Sequence, residues 1–156
     1  MSNTIGLLVM TYGSPESTDD IEEYLTNIRR GRAPEEAMVE EFTERYEAIG
    51  GSPLTEITRD QAEQTAEVLE AQLNDDLTIE PYVGMRYFEP YIGEAVESMA
   101  ADGINRAVGL IMSPQYSPIL MKGYEDALDD ALNEVEDAPE VHLVKDWWEE
   151  PKYHEA

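Results

Sequence analysis

Four of the ten basic residues in this 156-residue chain, Arg29, Arg30, Arg32 and Arg45, fall in one short stretch of a molecule whose formal net charge is -25. A cationic patch kept inside so anionic a field points to a small anionic ligand. Just upstream, the apolar run Ile5 to Met10 ends in Thr11-Tyr12-Gly13-Ser14-Pro15, which reads as a buried strand delivering a tyrosine to a glycine-punctuated turn. A strand's carboxyl end beside an arginine cluster is a binding mouth in α/β proteins. Other chemistries find less support. Ser14 and Ser117 have no histidine in a motif that would serve as base, so covalent catalysis is not expected. Gly6 and Gly13 do not complete a dinucleotide fingerprint, and no Lys-Ser/Thr pair follows to make a phosphate loop. The acidic pairs Asp19-Asp20, Glu22-Glu23 and Asp129-Asp130 are either cation collectors or, as is usual in so acidic a chain, solvated helix faces.

Composition bounds the rest. A chain of this length with 42% hydrophobic residues suits one ordinary domain, here residues 1–156, with ample material for a core. The 35 acidic residues repel nucleic acid and anionic lipid, so neither is an expected partner. Such acid excess also fits adaptation to a salty medium, where screening relieves self-repulsion. With no cysteine, disulfides and thiolate metal ligands are excluded and a reducing, cytoplasmic setting is expected. The amino-terminal residues lack the basic region of a signal peptide, and their apolar stretch is too short to span a bilayer.

Periodicity predicts the elements that hold these residues. Strands are expected at residues 5–10, 77–85, 107–112 and 141–145, and helices at 18–28, 34–49, 58–73, 90–101 and 119–135. In the third helix Ala62, Ala66, Leu69 and Leu73 form the inward face, ahead of an Asn74-Asp75-Asp76 stop. Four apolar strands separated by helices specify an α/β fold: a doubly wound, four-stranded parallel sheet with helices on both faces, and a helical insert after the first strand. The tail Glu149-Glu150-Pro151-Lys152-Tyr153-His154 reads as the opening turn of a helix without a body, as in a fragment of something longer.

Six separated motifs occur together: Tyr12-Gly13-Ser14-Pro15, Ile28 through Arg32, Arg45 through Leu54, Gly84-Met85-Arg86-Tyr87-Phe88-Glu89-Pro90, Pro114-Gln115-Tyr116-Ser117 and Trp147 through Pro151. In that order they resemble the amino-terminal half of the ferrochelatases, and more narrowly the coproporphyrin branch found in Gram-positive bacteria. The resemblance covers nearly the whole chain and implies a chelatase-like fold. It implies insertion of ferrous iron, as substrate, into coproporphyrin III or a related porphyrin in haem biosynthesis, with no resident cofactor. Tyr12 would face the metal as an axial ligand of the metallated product, a reasonable role for a phenol oxygen. Arg29, Arg45, Tyr46, Ser52 and Tyr124 would hold the macrocycle and its propionates, for which guanidinium forks are suited.

By their residue types alone, Tyr12 is equally a strand-end aromatic at the sheet rim, Arg30 and Arg32 a solvated helix end, and Tyr24, Tyr46, Tyr116 and Tyr124 either stacking surfaces or core. Position 87 is Tyr where some relatives of the branch have His, so no metal-relay role is carried over to that loop. His142 and His154 match no metal-site position. The family's histidine and glutamate lie in its second half, so the resemblance implies either a fragment of a longer enzyme or one part of a split enzyme whose second chain supplies that half. The chain is therefore expected to provide the cradle and not the relay, and to insert iron poorly alone. Two alternatives stand beside this: a porphyrin- or haem-binding module without turnover, and a homodimeric short chelatase.

Overall fold

Strand β1 (Thr4–Thr11) is buried along most of its length, as a central parallel strand covered on both faces must be. The computed structural model describes residues 3–73 and 76–155. Three further strands, β2 (Thr78–Met85), β3 (Arg106–Ile111) and β4 (Glu140–Val144), pair in parallel in the order β2-β1-β3-β4. The register runs Met10 against Gly84 on one side and Ile111 on the other. Helices α1 (Ile21–Ile28), α2 (Glu36–Ile49), α3 (Leu54–Leu73), α4 (Ile92–Ala101), α5 (Pro118–Glu134) and a short α6 (Pro151–Glu155) complete the chain. This is the expected α/β architecture, with α1 and α2 as the helical insert.

Alternation along β1 divides the core. Leu8 and Met10 point to one face, where Ile92, Val96 and Met99 of α4 and Met121, Tyr124 and Leu128 of α5 cover them. Leu7 and Val9 point to the other and meet Ala62 and Ala66 of α3. The small alanines let that helix lie close, and each large apolar side chain so buried stabilises the fold by roughly 1.5–3 kcal/mol. A third cluster packs Ile21, Tyr24 and Leu25 of α1 against Phe88, with Met38, Val39, Phe42 and Tyr46 of α2 against it. That cluster fixes the insert over the end of β2.

Helix boundaries differ from the periodic pattern where polar residues carry the first turn. Helix α3 begins at Leu54, not at Thr58, because its first turn buries Thr55 and Thr58, which a search for apolar spacing passes over. The Ser52 hydroxyl accepts the Leu54 N–H at 3.3 Å, and the Thr58 hydroxyl donates to the Leu54 carbonyl at 2.7 Å. Helix α4 starts at Ile92, since the Glu94 carboxylate accepts the Tyr91 N–H at 2.7 Å and so makes Tyr91 the cap. At the far end of α3, Leu73 is 59% exposed rather than inward, because the helix has run past the sheet. Asn74 and Asp75, expected as part of its stop, lie outside the described residues.

The strand order puts β1 between β2 and β3. The crossover from β1 to β2 therefore runs to one side and that from β2 to β3 returns past β1 to the other, and a crevice opens beyond the carboxyl ends of β1 and β3. Tyr12 is the first residue past β1.

Candidate functional site

Residues 11 to 14 leave β1 in a turn that only a bare backbone can make. Gly13 has φ of 94°, and a Cβ there would sit 3.0 Å from the Phe88 backbone nitrogen. The loop after β2 is thereby drawn against the loop after β1: the Arg86 N–H donates to the Thr11 carbonyl at 3.1 Å and the Tyr87 N–H to the Tyr12 carbonyl at 3.0 Å. Asn27 at the end of α1 ties down the same loop, its side-chain amide donating to the Tyr87 carbonyl at 3.1 Å and sitting 3.0 Å from the Tyr91 hydroxyl. Three segments thus converge on one rim.

On that rim the rings of Tyr12 and Tyr87 lie 4.5 Å apart and tilted by 54°. The Arg86 guanidinium stands 4.6 Å above the Tyr87 ring and 5.7 Å from that of Tyr124, on α5. Tyr12 is 38% exposed. Burial and the neighbouring Tyr87 push its phenol above the ordinary value, against a smaller opposing pull from Arg86. Tyr124 is deeply buried, and desolvation pushes its phenol up to about 12 despite Arg86. Beside the rim, the hydroxyls of buried Ser14 and of Tyr46 share a 2.8 Å hydrogen bond that joins α2 to the Tyr12 turn.

The arginines divide by burial. Arg29, at the carboxyl end of α1, and Arg86 are half-buried; every other basic side chain among the described residues is exposed. The ion pairs among the described residues are Arg45 with Glu41, Lys122 with Asp126 and Lys145 with Glu125, so neither half-buried guanidinium has a carboxylate partner. A terminal nitrogen of the Arg29 guanidinium lies 4.0 Å from the Met38 sulfur, and its Nε is buried with no hydrogen-bond partner. In a chain with 35 acidic residues, leaving the buried Arg29 Nε without a partner is a costly arrangement that an anionic ligand would relieve.

Of the residues singled out from the sequence, Tyr12, Ser14, Tyr46 and Tyr124 enter these contacts, and Arg29 lies at the α1–α2 junction. Arg45 does not join them: it is exposed, pairs with Glu41 one helical turn away and lies 5.4 Å over the Phe42 ring. Ser52 is engaged at the start of α3. Arg30 and Arg32 are exposed at the end of α1, and Tyr24 is core. His142 is exposed on β4, and His154 packs on Tyr153 and Trp148 in the tail. Arg86 and Tyr87 were given no role from sequence beyond their place in the Gly84 to Pro90 motif; a further trace is Gly123, a glycine inside α5. A groove of about 510 Å³ nearby, lined by Glu16, Asp20, Glu23, Glu89 and Glu94 with Arg59, is too acidic to receive a polycarboxylate. Among the described residues no three His, Cys, Asp or Glu side chains group to hold a metal ion, and no helix is long and apolar enough to cross a membrane.

Sheet order, helices on both faces and the tyrosine rim define a doubly wound α/β protein of chelatase-like build. The family model described as Ferrochelatase matches residues 4–156. The coproporphyrin III ferrochelatase of Geobacillus kaustophilus is 40% identical over 98% of this chain and 48% of its own length. That of Halalkalibacterium halodurans is 40% identical over 96% of the chain and 48% of its own, and coproporphyrin III ferrochelatase 1 of Bacillus anthracis 42% over 98% and 49%. The chain belongs to the ferrochelatase family, and it spans about half the length of the curated relatives it matches.

Proposed function

We propose that this chain is the porphyrin-holding, amino-terminal part of a ferrochelatase that inserts ferrous iron into coproporphyrin III. The observation that carries the reading is Arg29: a half-buried guanidinium without a carboxylate partner, in a strongly anionic chain, on the helix tied to the Tyr12 rim. A coproporphyrin brings four carboxylates and a flat apolar ring, which match unpaired guanidinium groups and exposed aromatic faces. In this reading Tyr12 meets the metal, Arg29, Tyr46, Ser52 and Tyr124 hold the ring and its propionates, and Arg45 exchanges Glu41 for a propionate to join them.

Metallation removes two pyrrole protons and needs an acceptor poised near the operating pH. Neither histidine of the chain contacts the rim, and the Tyr12 phenol is pushed up rather than down, so it is a poor base at neutral pH. The acceptor and the iron relay are assigned to a further segment or a second chain. The test is a Soret titration of the purified chain with coproporphyrin III: a saturable shift is expected, weakened about ten- to a hundredfold by Arg29→Gln, the worth of a charge-assisted hydrogen bond. No shift at micromolar porphyrin would overturn the reading. Iron insertion by the chain alone is expected to be slow, and steady turnover at a full enzyme's rate would contradict the division of labour.

A further inference from the structure

The second half-buried cation without a carboxylate partner is Arg86. One face of its guanidinium lies 4.6 Å from the Tyr87 ring, the Tyr124 ring is 5.7 Å away, and one terminal nitrogen reaches the Leu120 carbonyl at 3.5 Å. The bare backbone of α5 at Gly123 borders it as well. A Cβ built on Gly123 would fall 1.8 Å from the centre of the guanidinium and 1.9 Å from one of its nitrogens, so the space that residue 123 leaves is the space the cation fills. A glycine within a 17-residue helix weakens the helix, and its presence here is explained by the seat it makes. Rings and a single marginal backbone contact leave most of the five N–H donors of the fork without a protein acceptor.

Resting on the ferrochelatase reading, we propose that Arg86, seated on Gly123 between Tyr87 and Tyr124, is a carboxylate-docking residue that selects a tetrapyrrole bearing an acidic side chain on the α5 side of Tyr12. The aromatic and glycine walls fix the plane of the fork, and a planar fork held in one orientation favours a bidentate carboxylate over a diffuse anion. Burial of the stem lowers the ordering cost of the contact.

The test compares coproporphyrin III with its uncharged tetramethyl ester by Soret titration of the full chain, using wild type, Arg86→Gln, Arg86→Lys and Gly123→Ala. Arg86→Gln is expected to weaken the acid about ten- to a hundredfold and leave the ester within about twofold. Arg86→Lys should restore part of the loss, because it returns the charge without the fork. Gly123→Ala should reproduce the Gln effect with the arginine still present, since the methyl displaces the guanidinium, and the double variant should be no weaker than the worse single one. Equal loss for acid and ester, or no loss for the acid, would overturn the proposal while leaving the ferrochelatase reading intact. Failure of the wild type to bind the acid would remove both. Should Arg86→Gln not fold, Gly123→Ala decides alone, because the atoms it meets are the far end of a flexible side chain.

Discussion

Tyr12 owes its position to three residues that are not aromatic: Gly13, whose positive φ turns the chain, and Thr11 and Arg86, whose backbones join the two loops. Its phenol is expected to matter for metal and not for the ring. Tyr12→Phe should leave metal-free coproporphyrin binding within about threefold, because an edge-on ring contact survives, yet abolish tyrosinate ligation of the ferric product, visible as loss of its charge-transfer absorption. Tyr124 reports on the core beneath. Its ordinary value is 10.0 and burial raises it to about 12. Below pH 10 the folded and unfolded chains both keep the proton. Between pH 10 and about 12 the unfolded phenol ionises first, so stability is lost as pH rises through that window. Thermal melts from pH 9 to 12 should show the fall, and Tyr124→Phe should flatten it relative to wild type.

At the level of elements, α1 and α2 are the pieces whose placement depends on fewest buried groups. No residue of α2 is fully buried, and α1 is joined to the rim chiefly by the Phe88 cluster and Asn27. Asn27→Ala is expected to cost about 1 kcal/mol, one net hydrogen bond, and to lower coproporphyrin affinity by loosening the Tyr87 loop. Equilibrium urea unfolding with a parallel Soret titration checks both. The α3 face works the other way. Ala62 is 1% exposed against Leu7 and Val9, so Ala62→Leu should destabilise by roughly 1–3 kcal/mol through overpacking while leaving the distant rim chemistry alone. Gly123→Ala in α5 is the opposite case again. It improves helix propensity by about 1 kcal/mol, so an unchanged or higher melting temperature should accompany the loss of carboxylate docking.

Across the whole molecule, charge repulsion is the influence that every element feels. Two of the ion pairs among the described residues are exposed and span one helical turn, and such pairs contribute little against a net charge of -25. Raising salt from 0.1 M to 1 M shortens the screening length from about 10 Å to about 3 Å and should raise the melting temperature by several degrees. A melt insensitive to salt would remove the idea that acidity is an adaptation. The fold class was legible in the order of residues because a parallel sheet needs strands and crossover helices in alternation, and apolar periods of two and 3.6 record that directly. The strand end at Tyr12 and the family motifs were legible for the same local reason. Periodicity is silent on which strand lies beside which, and so on which loops meet. The seat of Arg86 on Gly123 and the Ser14–Tyr46 bond follow from the β2-β1-β3-β4 order and the packing of α1, α2 and α5 upon it. Contacts between residues tens of positions apart are set by global packing, and only the tertiary structure decides them.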